Sequence, residues 1–169
     1  MNPLLEAVVK EYLRAFDAID AYKARKGSAQ GLLKDLRGLA KKIGEAWEEY
    51  YFSVKKPEGR EGSDVNIPNL TDQHMLDYDI RRDKDRKVSR IQDSWDPREE
   101  IKNVVHEHKV NTETTRTNLA LYFTIAQVEV NKEHIAKVEE AIAFGIQCLE
   151  WFIVDLGGYV GAMEEIGAS

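Results

Sequence analysis

The sequence predicts an all-α protein: an antiparallel helical bundle of three to five helices with one long C-terminal helix and a polar central loop. Apolar residues recur at steps of three and four along most of the chain, and capping residues and prolines mark where helices begin. A polar, glycine-rich stretch from 57 to 70 interrupts this pattern. With 169 residues the chain can build one substantial core, so we expect a single domain from 1 to 169.

Composition narrows the class of protein. Hydrophobic residues make up 43% and charged residues 32% of the chain, which is typical of a folded, helix-rich protein. A formal charge of -6 argues against a protein that coats nucleic acid over its whole surface. The N-terminus lacks the basic start of a signal peptide, so we expect a cytoplasmic protein, or one exported without a cleaved signal peptide. Glu150 and Asp155 interrupt the most apolar window, so we expect no membrane span.

Two helices are predicted before residue 57. The first begins near Pro3, with Asn2 as its cap, and ends near Gly27. A short connection from 28 to 31 leads to a second helix that ends before Pro57. Because the connection is short, the two helices should form an antiparallel hairpin.

The central part of the chain changes character. The stretch from 57 to 70 is predicted to be an exposed loop. From 71 to 95 the sequence is highly charged, and Leu76, Tyr78 and Ile80 alternate with aspartates as in a half-exposed strand. The same segment also fits helical spacing. We favour a charged helix, and a two-stranded hairpin that turns near 82 to 85 is the alternative.

A new helix is predicted to start at Asp96-Pro97, where aspartate can cap the helix and proline suits its first position. The stretch from 111 to 118 contains Asn and Thr residues that compete for backbone hydrogen bonds. The helix can therefore break, kink or restart there, and a continuous helix is the alternative. An unbroken helix from Pro97 to Leu156 would be about 90 Å long.

The stretch from Leu119 to Leu156 has the most regular apolar spacing and is predicted to form the core helix, ending at Gly157-Gly158. Glu139 and Glu140 lie off its buried face. Cys148, the only cysteine, lies within this helix and is expected to act as a small buried hydrophobe. The predicted buried face consists of Leu121, Ile125, Val128, Ile135, Val138, Ile142, Gly145, Leu149, Phe152 and Leu156.

No motif in the chain indicates catalysis, a cofactor or a metal. Gly-x-Ser-x-Gly, a glycine-rich phosphate loop and Glu-x-x-His are all missing from the sequence. His106 and His108 are two residues apart, which on a helix turns their side chains roughly 200° from each other. We therefore expect no enzyme, no cofactor and no metal site.

The segment from 81 to 90 holds six basic and two acidic residues in an otherwise acidic protein. It could contact phosphates, with Trp95 stacking on a base, or it could be a solvated face with internal ion pairs. It could also attract the acidic stretch from 129 to 169, within one chain or between copies. The candidate partner or nucleic-acid contacts are Arg81, Arg82, Lys84, Arg86, Lys87, Arg90 and Trp95.

The predicted core helix is apolar on more than one side, which suits a bundle core or a subunit interface. The sequence therefore favours a non-enzymatic helical interaction or structural subunit that self-associates or docks into a larger protein assembly. The alternative is a nucleic-acid-binding helical module that uses the segment from 81 to 90. The candidate helix-interface residues are Ala141, Gly145, Leu149, Trp151 and Phe152.

Overall fold

A computed structural model of the chain describes residues 1–24, 28–55, 72–90 and 96–167. Within these ranges it contains α-helices and no strand, which confirms the predicted all-α class and bundle packing. A π-helical turn continues the second helix. The predicted loop from 57 to 70 lies outside the described residues. The helices are α1 (Pro3–Lys23), α2 (Ala29–Tyr50), α3 (Gln73–Ser89), α4 (Pro97–Val128) and α5 (Lys132–Glu165), and the π-helical turn is Tyr51–Lys55.

Short polar side chains cap the N-termini of these helices. The Asn2 and Asp96 side chains accept backbone N–H groups of α1 and α4, at 2.8 and 3.0 Å respectively, and so confirm both predicted caps. Ser28 caps α2 in the same way, so this helix already begins at Ala29, within the connection predicted from 28 to 31. The local sequence therefore determines where these helices begin.

The charged segment forms the helix α3, and the hairpin alternative is wrong. Asp72 caps this helix by accepting the backbone N–H of Met75 at 3.1 Å. Leu76 is its one buried residue, so α3 contributes little to the hydrophobic core. It is therefore held to the bundle mainly by partly buried and charged side chains.

The stretch from 111 to 118 does not break the helix, because α4 continues to Val128. The Thr115 hydroxyl donates to the backbone carbonyl of Asn111 at 2.8 Å, so it bonds to its own helix without interrupting it. The chain instead breaks at 129–131, where the Asn131 side chain caps α5 at 2.8 Å.

Because of this break, the predicted buried stripe divides between two helices. Leu121, Ile125 and Val128 are 52%, 38% and 86% exposed, so their predicted burial is wrong. Regular spacing shows only that residues share one face of a helix; it does not show whether that face is buried. The buried residues of α4 lie on its other face: Ile101, Val104, Val105, His108, Thr115, Leu119 and Ala126.

The α5 part of the stripe is the centre of the bundle, and α5 packs against each of the other four helices. The predicted end at Gly157-Gly158 is wrong, because α5 continues to Glu165 and both glycines are buried. Ile135 is half-buried. The predicted core residues that the structure confirms as buried are Val138, Ile142, Gly145, Leu149, Phe152 and Leu156.

Glu139 departs from the predicted pattern. Its side chain is buried, and the Tyr50 hydroxyl donates a hydrogen bond to its Oε2 atom at 2.9 Å. A buried carboxylate is tolerated when it is hydrogen-bonded, as this one is. Glu140 is exposed, as predicted.

Candidate interaction surfaces

The basic segment lies on α3, where its cations divide into two groups. Lys84 and Lys87 are half-buried, and they pair with Glu165 and Asp155 of α5 at 3.6 and 2.7 Å. This is the attraction within one chain that the charge asymmetry indicated. Trp95 lies outside the described residues. The exposed cations are Arg81, Arg82, Arg86 and Arg90.

Two glycines of α5 let α3 approach closely. A Cβ atom added to Gly157 would lie 3.0 Å from three side-chain carbons of Ile80. A Cβ atom added to Gly158 would collide with the carboxylate of Asp83. These glycines therefore leave the space inside the bundle that α3 occupies.

A chain of polar contacts joins α3, α5 and α4 next to these glycines. Lys87 Nζ lies 2.7 Å from Asp155 Oδ1, and His108 Nε2 lies 3.0 Å from Asp155 Oδ2. Lys87 also contacts Asp83, one turn earlier on α3. Because an ionised carboxylate only accepts hydrogen bonds, His108 Nε2 carries the proton in this contact. The His108 ring stacks on Phe152, with centroids 4.8 Å apart, which fixes its position.

The environment of Asp155 lowers its pKa. Burial alone would raise the pKa of this carboxyl, but hydrogen bonds and charges from His108 and Lys87 outweigh that effect. The pKa of Asp155 therefore lies below its ordinary value of 3.8. A carboxyl whose pKa is lower in the folded state adds stability above its unfolded pKa, and this stability is lost as pH falls through the folded pKa.

We expect Asp155→Asn to lower the free energy of unfolding by about 2 kcal/mol near pH 7, because Lys87 and His108 lose a partly buried anion. The difference from the parent should shrink as pH falls below about 4, because the unfolded parent then protonates Asp155 first and the folded parent follows at its lower pKa. Urea unfolding between pH 7 and pH 2.5 measures this difference. Asp85→Asn, at an exposed position on α3, serves as the control. A difference that does not change with pH would contradict the assigned role of Asp155.

Two open cavities, of about 410 and 350 Å³, flank this polar contact and share Asp83, Arg86 and Asp155 in their walls. Burial, followed by repulsion from Asp79, raises the pKa of Glu150 in the larger cavity. The walls of both cavities contain cations and carboxylates. Neither cavity therefore has a surface of one charge that would select an anion or a cation.

The histidine pair diverges as helical geometry requires: His108 is buried and His106 is exposed. Among the described residues, no group of three or more His, Cys, Asp or Glu side chains is arranged to hold a metal ion. Cys148 is half-buried rather than buried as predicted, and burial raises the pKa of its thiol.

Most of the predicted helix-interface residues of α5 pack inside the protein's own core. Ala141, Gly145, Leu149 and Phe152 are buried. Trp151 is 63% exposed and meets the His108 ring edge to face, with centroids 5.5 Å apart. Most of this face therefore packs the protein's own core, and Trp151 alone of the five remains largely accessible.

A different periodic row lies on the outer face of α4, opposite its buried residues. Its members follow one another at steps of four, three, four, three and four residues, and all are exposed and uncharged. Three of them are apolar, with exposed fractions of 70%, 52% and 86% for Val110, Leu121 and Val128. We call this row the outer seam: Val110, Thr114, Thr117, Leu121, Thr124 and Val128.

Two of the charged residues close to the outer seam form ion pairs with α1. Glu113 lies 3.7 Å from Lys23, and Arg116 lies 3.1 Å from Asp20. On the seam itself, the Thr124 hydroxyl donates to a carbonyl of its own helix, so this polar group already has a partner. The seam was missed because the Thr-rich stretch was interpreted as a break; its spacing and lack of charge were the available signal.

Comparison of the chain with models of known protein families, with curated proteins and with solved structures finds no match in any of the three. The interpretation of these surfaces therefore depends on their own geometry.

In the described part of the chain, α5 is long and apolar enough to cross a membrane by length and composition, with a mean hydropathy of 1.4 in its most apolar window. Half of that window is buried in the bundle. The core helix of a water-soluble bundle has the same properties, so this is weak evidence for a membrane span.

Proposed function

We propose that the protein is a non-enzymatic helical interaction subunit that binds a protein partner through the outer seam of α4. The observation that carries this proposal is an exposed row of six uncharged residues with three-four spacing, from Val110 to Val128. This spacing is that of a helix face that packs against another helix. The row spans about 27 Å at 1.5 Å per residue, long enough for several turns of a partner helix.

Physical chemistry favours a helix as the occupant of this surface. Exposed Val and Leu side chains gain free energy when a partner removes them from water, by roughly 25 cal/mol per Å² of apolar area. A polar or charged partner would gain little from a face that has no charge of its own. Two charged residues close to the seam, Glu113 and Arg116, already pair with α1, so a partner need not neutralise them.

The alternative, a nucleic-acid-binding module on α3, has weaker support. Lys84 and Lys87 already pair with carboxylates of the same chain. Two of the four exposed arginines, Arg82 and Arg86, stand beside Asp79 and Asp83 in the wall of the larger cavity. Since nucleic-acid affinity depends mainly on uncompensated cations facing phosphates, this mixed surface is a poorer candidate than the outer seam.

A photo-reactive benzophenone amino acid at position 117 tests the proposal. In an extract of the native cells we expect a discrete cross-linked adduct, and Leu121→Asp in the same chain should reduce its yield about tenfold or more, because the interface would bury an unpaired charge. The benzophenone residue at Lys42, exposed on α2, is the control and should give no such adduct. No adduct at 117, or one unaffected by Leu121→Asp, would overturn the proposal.

A further inference from the structure

We infer that the larger cavity between α3 and α5 binds a small zwitterion, such as a free amino acid with an apolar side chain. The cavity has a volume of about 410 Å³. This volume lies within the range of roughly 300–1,000 Å³ that small-molecule sites occupy. The residues of its wall belong to α3 and α5 and include none of the outer seam of α4. The inference is therefore separate from the proposed function, and either can fail without the other.

Unpaired charges of both signs line this cavity. Lys87 contacts both Asp83 and Asp155, so these three charges satisfy one another. A ligand with a single charge would leave either the remaining cations or the remaining anions without a partner, whereas a zwitterion offers a partner to both. Within the described part of the chain, four charged side chains of the wall form no ion pair: Asp79, Arg82, Arg86 and Glu150.

The two signs are separated along the cavity. Asp79 of α3 and Glu150 of α5 lie near each other, and their repulsion contributes to the raised pKa of Glu150. An ammonium group between these carboxylates would relieve the repulsion. Arg82 and Arg86 follow Asp79 by about 4.5 and 10.5 Å along the axis of α3. Because residues four apart share a helix face, the two arginines are placed to hold one carboxylate together.

The α5 side of the cavity also offers an apolar surface. Trp151 is 63% exposed and lines the cavity together with Val154. The edge-to-face contact with His108, at 5.5 Å between centroids, supports the Trp151 ring from the α4 side. An aromatic ligand side chain that covers Trp151 would remove apolar surface of both rings from water. We therefore expect an aromatic amino acid to be a good probe of this site.

Three matched probes separate the contributions of the two ligand charges. L-Phenylalanine carries both charges, hydrocinnamate lacks the ammonium group, and phenethylamine lacks the carboxylate. Isothermal titration calorimetry at pH 7 and low salt measures their binding. We expect L-phenylalanine to bind at least about tenfold more tightly than either of the other two. No binding of L-phenylalanine up to about 10 mM, or equal binding of the three probes, would overturn the inference.

Substitutions of one cation and one anion locate the site. Arg82→Gln and Glu150→Gln should each weaken L-phenylalanine binding about fivefold or more, because each removes a charge that the ligand faces. Their effects on the single-charge probes should be opposite. Glu150→Gln should strengthen hydrocinnamate binding and Arg82→Gln should strengthen phenethylamine binding, since each removes a like-charge repulsion. A variant that had merely lost its fold would weaken all three probes.

Arg81→Gln and Asp85→Asn are the matched controls. Both residues are exposed on α3 and lie outside the walls of the two cavities, so these variants should bind L-phenylalanine like the parent. L-Phenylalanine binding that survives both Arg82→Gln and Glu150→Gln, or that falls as much in the control variants, would show that the ligand does not bind in this cavity.

Discussion

Replacing Ile142 with aspartate is expected to remove the cooperative unfolding transition, or to prevent the protein from accumulating. Ile142 is 0% exposed on the central helix α5, so the new carboxylate would be buried without a partner. We expect a loss of about 4 kcal/mol or more, out of the 5–15 kcal/mol typical of a folded domain. Thermal unfolding followed by circular dichroism measures the effect. If the variant melts like the parent, the packing of α5 described above is wrong.

Glu140→Lys is the matched control for this variant. Glu140 lies on the same helix but is exposed, so the substitution should change the free energy of unfolding by about 0.5 kcal/mol or less. Its neighbour Glu139 was also predicted to lie off the core, but a substitution there is not a suitable control. Because Glu139 is buried and accepts the Tyr50 hydroxyl, Glu139→Lys should destabilise the protein.

Local chemistry accounts for the elements that could be predicted from the sequence. Asn2 and the Asp96-Pro97 pair act within one turn of the helix they start, so their effect is readable without knowledge of the fold. The regular apolar spacing of α5 also predicted the core positions Val138, Ile142 and Leu149. They are buried because the other helices pack around α5.

The features that could not be predicted depend on contacts between distant parts of the chain. Gly157-Gly158 looks like a helix end, yet Ile80 and Asp83 occupy the space beside these glycines and the helix continues. Likewise, Leu121 has the spacing of a core residue, but the inner face of α4 is set by its packing on α5. Leu121 and Val128 of the outer seam were thus interpreted as core, and their exposure is known only from the fold.

The tight crossing at Gly145 is another such long-range contact. This glycine of α5 lies beside α1 and α4, and the buried Tyr12 hydroxyl of α1 donates to its carbonyl oxygen at 2.8 Å. A Cβ atom added to Gly145 would lie 2.5 Å from the Tyr12 hydroxyl oxygen and 2.6 Å from Cγ2 of Thr115. Since Cβ atoms essentially never approach other atoms so closely, a side chain here would push three helices apart.

Gly145→Ala should therefore lower the free energy of unfolding by about 2–3 kcal/mol, although alanine favours a helix over glycine by about 1 kcal/mol. Gly38→Ala supplies the matched comparison, because Gly38 lies inside α2 and a Cβ atom there would meet nothing within 4 Å. With no clash to oppose helix propensity, that variant should gain about 0.5–1 kcal/mol. Urea unfolding of both variants measures the difference. The same substitution should thus have opposite signs at the two sites, and equal stabilisation at both would show that α1, α4 and α5 do not meet at Gly145.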